Sequence, residues 1–395
     1  MTARRLALAG ALLVALQATP SIAAEPIDPA RPGQRPAAGS DEDELWYAMD
    51  RAEKELQVSP LLVRDAALNA YVRDVACRVT ADYCTDLRVY IVDLPYFNAM
   101  MAPNGMMVVW TGTLLRAQDE AELALVLAHE FAHFRERHTL QAWRKAKRTS
   151  AFLATFGLLT YGGGVGLVGS LAGIAGAASL LQFSRGVERE ADSLGFGAAL
   201  AQGYDPGAGV RLWERMVREE DARSYGKQIP VFASHPRSRE RLEDVRAAAA
   251  QARAAGRAGD RTGRAEYRAA TCGFLQEWLE GELSRRMYDT SIQVLADLRP
   301  LADANEQATY AFFQAEAHRR RGKAGDREAA ERLYAEAVAL EAPPADAWRE
   351  HGLVLRARGM RAEAAAALRR YLELDPAADD AAFVRRYLAE LEGTP

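Results

Sequence analysis

Residues 119–138, DEAELALVLAHEFAHFRERH, decide how the rest of the chain is read. Asp119 and Glu122 stand three apart, ahead of an apolar run through Leu123, Val126, Leu127, Phe131 and Phe134. That is the pattern of an N-cap and capping-box pair launching a long helix. Within it His129 and His133 are four apart, so their imidazoles differ by about 40° around the axis and face one side, a turn apart. Two ligands for one tetrahedral ion result. Glu130 lies about 100° round from His129, near enough to reach an ion-held water without ligating the ion, which suits a general base. The chain has 6 histidines, and three of them fall between Ala128 and His138. The alternative, a satisfied histidine pair on a helix flank, does not account for that concentration.

A catalytic zinc takes three protein ligands and keeps one position open. If the helix continues, His138 points about 180° away from His129 and is excluded as a ligand. The extended HExxHxxGxxH pattern also fails, because Glu136 stands where glycine is needed and Thr139 where the last histidine would be. The third ligand must come from elsewhere. In residues 184–192, SRGVEREAD, Glu188 and Asp192 are i and i+4 on one helix face. Glu188 suits the ligand role, and Asp192 suits an acceptor for the ring N–H of a ligating histidine, fixing its tautomer. Taken alone, such an acidic segment reads as a solvated face; the HExxH run favours the ligand reading.

Around this centre the 395 residues divide by composition. Hydrophobic residues are 49 % and charged residues 26 %, which excludes disordered, collagen-like and polytopic membrane classes for the whole. Fifty basic against 54 acidic side chains leave a net charge of −4 without a basic stripe, so a nucleic-acid partner is not expected. Residues 1–24 read as a cleaved secretory peptide: Arg4 and Arg5, then an apolar run from Leu6 to Leu16, then Pro20 and small residues. Residues 25–40, with Pro26, Pro29, Pro32 and Pro36, read as an extended tether, with order beginning near Asp41. Export implies an oxidising compartment, in which Cys77 and Cys84 would close a small loop and Cys272 would stay free; three buried thiols are the alternative.

Residues 41–250 carry the mixed pattern. Helical stretches are expected around Leu45–Leu56 and Leu61–Val79, then a strand at Leu87–Val92. A hairpin follows, with Asn98–Met101 and Met106–Trp110 bracketing Ala102-Pro103-Asn104-Gly105, a turn sequence by its proline and Asn-Gly pair. Asn98 on an edge strand beside the metal would pair with an extended peptide backbone. His235, before Pro236, lies in a loop and suits either an oxyanion-stabilising role or that of a latch in zinc's open position.

FNAMMAPNG (97–105), HEFAH (129–133), SRGVEREAD (184–192) and SHPRSRERL (234–242), in this order, resemble the gluzincin metallopeptidases that include the CAAX prenyl protease and the bacterial HtpX. The resemblance covers roughly Leu45 to Leu242. It implies one zinc ion per chain on His129, His133 and Glu188, with Glu130 as base and Asp192 orienting a ligand. Asn98 matches the family's substrate-side asparagine, His235 the histidine before proline and Arg241 the arginine six residues later, giving His235 and Arg241 catalytic roles. The secretory leader and helical C-terminus are most similar to periplasmic members. That likeness implies an endopeptidase degrading misfolded or stalled envelope proteins in outer-membrane quality control; a chaperone or scaffold with a structural or latched metal is the alternative.

Two further regions carry expectations. From Thr149 to Ser184 the chain has 36 residues without a charge, split by Gly162, Gly163 and Gly164 into arms of 13 and 20. A single crossing would put His133 and Glu188 on opposite sides of a bilayer, and the shorter arm cannot span a core of about 30 Å as helix. A helical hairpin that packs on the catalytic domain or touches a membrane face is expected. In residues 265–395, Ala347-Trp348 with Gly352, Gly359, Ala364, Leu368 and Pro376 fall on tetratricopeptide spacing, echoed by Tyr334, Ala337 and Pro343. Such a surface would recruit client proteins or an assembly machine. The fold class expected is α+β, predominantly helical: a gluzincin-type domain with a small edge sheet, then an all-α repeat region.

Overall fold

The computed structural model describes residues 27–147, 183–224, 238–257 and 259–393. They form a predominantly helical α+β structure. α1 (Asp41–Gln57) is capped by the Ser40 hydroxyl and α2 (Ala66–Thr80) by Asp65, whose carboxylate accepts from the Leu68 amide at 2.8 Å. The expected second helix therefore starts later than Leu61. Residues 61–63 run extended beside the first strand, with the Val63 amide donating to Ile91 and the Asp93 amide to Leu61.

Three strands follow: β1 (Arg88–Val92), β2 (Ala99–Met101) and β3 (Met106–Trp110). β3 is central and buried throughout, with β1 parallel on one side and β2 antiparallel at the edge. The expected hairpin is the β2–β3 pair. Its turn closes with the Gly105 amide on the Ala102 carbonyl, and Gly105 has φ +88° where a Cβ would strike the Asp86 carbonyl oxygen. Only glycine fits both constraints. Asn104 is buried and ties the turn to α1 through Asp50 and Glu53.

Next come α3 (Thr111–Arg116), α4 (Glu120–Arg135) and α5 (His138–Ala146), then α6 (Arg185–Ala201), α7 (Gly207–Asp221) and α8 (Ser238–Ala254). α4 is the central helix. Its Leu127, Ala128 and Phe131 pack in one core with Val72, Val75 and Val79 of α2 and with Ile91 and Val109 of the sheet. Eight further α-helices follow among the described residues, beginning with α9 (Arg264–Thr271), α10 (Leu275–Ser284), α11 (Tyr288–Leu298) and α12 (Gln307–Arg321). α13 (Asp326–Ala339), α14 (Ala345–Ala357), α15 (Arg361–Leu374) and α16 (Ala381–Glu392) complete the chain.

The C-terminal helices share the core of the first domain, which continues through Tyr267, Trp278 and Leu295 to Tyr310, Phe313 and Tyr334. A buried charge network crosses the same boundary. Arg116 of α3 donates to Glu219 of α7 at 2.7 Å and to Glu282 of α10 at 2.9 Å, and Arg285 donates to Glu282 at 2.7 Å.

Two expectations about the flanks change or hold. Residues 27–40 are not a free tether: the Ala30 amide donates to Arg135 at 2.7 Å, the Tyr83 hydroxyl donates to Ala30 at 2.7 Å, and Arg35 lies over the Trp46 ring. Backbone groups of a proline-rich segment find partners on the domain surface, which composition cannot announce. Cys77 and Cys84 are joined as a disulfide and Cys272 is free and exposed. The leader 1–24, His235 and residues 149–182 of the apolar hairpin lie outside the described residues; among those described, no helix is long and apolar enough to cross a membrane.

Candidate metal centre

The helix that carries HExxH is fixed at its start. The Asp119 carboxylate accepts from the Glu122 amide at 2.9 Å, and Glu122 reaches back to the Gln118 amide at 2.9 Å, a capping box displaced by one residue. Arg215 and Arg211 of α7 face Glu122, so the pair is also cross-linked to a neighbouring helix. Two turns on, α4 is buried on the face that holds His129, Glu130 and His133.

α6 brings the third group. Capped by Ser184, it lies against α4 with a face of Glu188, Ala191, Gly195 and Ala199 buried. The Nε2 atoms of His129 and His133 are 3.1 Å apart, His133 Nε2 is 3.6 Å from Glu188 Oε1, and His129 Nε2 is 3.8 Å from Glu188 Oε2. One ligand atom from each of these three buried residues lies within 4.8 Å of the others. Bonds of about 2.0–2.2 Å to a tetrahedral ion would separate its ligand atoms by about 3.3–3.6 Å. The two imidazoles and the carboxylate therefore fit a divalent ion of the zinc type, and two lone pairs facing each other at 3.1 Å are relieved by a cation between them.

The far side of His129 is also organised. Its Nδ1 is 2.9 Å from Asp192 Oδ1, so the ring proton sits on Nδ1 and Nε2 is left as a ligand. Burial alone would push the Asp192 carboxyl up. Arg241 and then His129 outweigh it and hold that carboxyl well below the usual range. Arg241, on α8, is buried, pairs with Asp192 through two nitrogens and stacks over Trp213. Its nitrogen 3.1 Å from His129 Nδ1 faces another N–H, so the carboxylate is the partner of both. The catalytic role given to Arg241 by resemblance thus becomes, in this geometry, the support of a ligand-orienting carboxylate.

His138 departs from its expected position. α4 ends at Arg135, and Arg137 takes the left-handed conformation with φ +54°, so α5 starts in a new direction. A continuous helix would have sent the His138 ring away; the break folds it back, with Nδ1 3.0 Å from His133 Nδ1. It stands outside the cluster of His129, His133 and Glu188, beside one of its members. Phe183 stacks on the His133 ring at 4.3 Å between centroids and lies 6.2 Å from the His138 ring.

Asn98 sits at the start of edge strand β2, which lies against α4. Its carbonyl accepts from the Trp110 amide at 3.1 Å and from the Thr113 hydroxyl at 2.7 Å. Sequence reasoning misplaced His138 and missed Trp213 and Gly195. The αL turn at Arg137 has no glycine to mark it, and the Gly195 signal is only a row of small residues spaced with Glu188.

A helix bearing HExxH, completed by a glutamate from a second helix with an aspartate four residues on, defines the gluzincin class of metal-binding domain. Residues 63–249 match the model of peptidase family M48. The chain is 28 % identical over 204 residues to the beta-barrel assembly-enhancing protease of Yersinia pestis, covering 49 % of this chain and 41 % of that protein. It is 27 % identical over 212 residues to the protein of that name from Escherichia coli K12, covering 51 % and 42 %. To the mitochondrial metalloendopeptidase OMA1 of Schizosaccharomyces pombe it is 34 % identical over 181 residues, covering 44 % and 51 %. The chain thus spans about half the length of the curated relatives it matches.

Proposed function

We propose that this chain is a zinc-dependent endopeptidase of the bacterial periplasm that degrades misfolded or stalled envelope proteins, within the quality control of outer-membrane β-barrels. The observation that carries the proteolytic part is the convergence of His129, His133 and Glu188 next to Glu130. A zinc ion held there would supply Lewis acidity toward a carbonyl oxygen and a water pKa of about 7. Glu130 takes the proton of the attacking water and returns it to the leaving amine. Asn98 and edge strand β2 hold an extended substrate segment by backbone pairing, since among the described residues β2 has a neighbour in the sheet on one side only.

The names of the bacterial relatives support the client assignment, and the C-terminal helices support recruitment. Buried Ala330, Tyr334 and Ala337 of α13 recur as buried Ala364, Leu368 and Tyr371 of α15, thirty-four residues on, which is tetratricopeptide spacing. Gly352 of α14 lies where a Cβ would meet Leu368, and Gly359 takes φ +76° in the turn between the two helices. His235 belongs to the same proposal as an oxyanion group or a latch, and its replacement lowers or raises turnover accordingly.

The test is cleavage of an unfolded protein by wild type and Glu130→Gln, each with measured metal content. Loss of cleavage by roughly 10²–10⁴-fold at unchanged zinc is expected. A Glu130→Gln protein that still supports envelope assembly in cells, with no cleavage by wild type, would turn the reading to a scaffold.

A further inference from the structure

The two ligating histidines are braced from behind by different chemistry. His129 has a carboxylate at its Nδ1, whereas His133 has another imidazole: His138 Nδ1 at 3.0 Å, in a side chain only 2 % exposed as a residue. An Nδ1 to Nδ1 contact of that length requires one ring to donate and the other to accept. The geometry points to His138 as a positioning residue that accepts the Nδ1 proton of His133 and so commits His133 Nε2 to the metal.

The assignment follows from where each nitrogen faces, and it rests on the metal reading above. His133 Nε2 lies on the side of His129 Nε2 and Glu188, where a ligand must present a lone pair, so its proton belongs on Nδ1. His138 must then carry its own proton on Nε2. That atom faces Glu190 Oε2 at 3.5 Å, a carboxylate two residues after the ligand Glu188 on α6. Glu190, His138 and His133 thus form a row running toward the metal, parallel to the row of Arg241, Asp192 and His129.

The fold spends strain on this placement. Arg137 adopts a left-handed backbone that ordinary residues occupy at a cost of about 1 kcal/mol or more. Without that turn the ring of His138 would leave the site on the continuing helix.

Asparagine and glutamine separate acceptor geometry from polarity. The asparagine carbonyl lies about where histidine Nδ1 lies, and the glutamine carbonyl about where Nε2 lies, so His138→Asn keeps the acceptor and His138→Gln moves it away. Zinc affinity is read by chelator competition on the full chain, with melting of the metal-free protein as the fold control. Wild-type affinity within a few-fold is expected for His138→Asn, and a loss of roughly 10–100-fold for His138→Gln. Equal affinities for the two variants would overturn the inference. Wild-type protein that takes up no zinc would sink the metal reading and this inference together.

Discussion

Gly195 of α6 lies directly against the backbone of His129: a Cβ added there would stand 2.7 Å from the His129 nitrogen and 2.9 Å from the Ala128 carbonyl carbon. Neither atom can rotate away. The absent side chain is what lets α6 approach α4 closely enough for Glu188 and Asp192 to reach the two faces of the histidine pair.

Alanine at that position should therefore behave against its helix propensity. Gly→Ala in a helix interior ordinarily gains about 1 kcal/mol. For Gly195→Ala a net loss of roughly 1–3 kcal/mol is expected, with weakened zinc binding, because the two helices must part. Gly197, two residues on, has open space where its Cβ would go, so Gly197→Ala should stabilise. Thermal melts of the two variants side by side check this, and equal stabilisation would refute the close-packing argument.

Arg241 offers a second discrimination. Engaged with Asp192 rather than with a reacting atom, it should act through metal affinity. Arg241→Gln is expected to weaken zinc binding by roughly 10–100-fold and to recover much of its cleavage rate when zinc is supplied in excess. A variant fully loaded with zinc yet slow in kcat would instead place the guanidinium at the transition state.

The contrast between these residues shows what the sequence can and cannot display. His129 with His133, and Glu188 with Asp192, are legible because the spacing within each pair is a property of a single helix, and helical periodicity turns spacing into direction. The β2–β3 hairpin is legible because Pro103, Asn104 and Gly105 carry their own backbone preferences. His138 was misplaced because its position depends on a helix break at Arg137, a residue type that rarely marks one. The parallel pairing of β1 with β3, the seating of residues 27–40 and the approach at Gly195 are long-range relationships, written in no local pattern.

The link between the two helical regions can be broken at one buried group. Arg116 is buried between Glu219 and Glu282, and these carboxylates hold its proton more firmly than in water despite the cost of burial. Arg116→Met would leave both acids buried without that partner, a loss of roughly 3–5 kcal/mol. Because Glu282 belongs to α10, the variant should also expose the chain near residues 275–298 to limited proteolysis while α4 stays protected. Cleavage sites spread evenly over both regions would mean that the network does not mark the boundary.

Acid should loosen the C-terminal helices through Glu316. Burial favours its neutral form, but the hydrogen bonds from Arg319 at 2.7 Å and from Tyr334, with Arg320 at 3.0 Å, outweigh that and hold the carboxyl down to about 2. The folded value lies below the ordinary 4.5, so the stabilisation is fully present above pH 4.5 and is lost as pH falls toward about 2. Part of the arginine surface is exposed, so screening limits the effect to on the order of 1–3 kcal/mol. Wild type and Glu316→Gln should differ most in melting temperature above pH 5 and converge near pH 2. A difference that stays constant across that range would show that the carboxylate charge contributes nothing to the packing of α12 on α13.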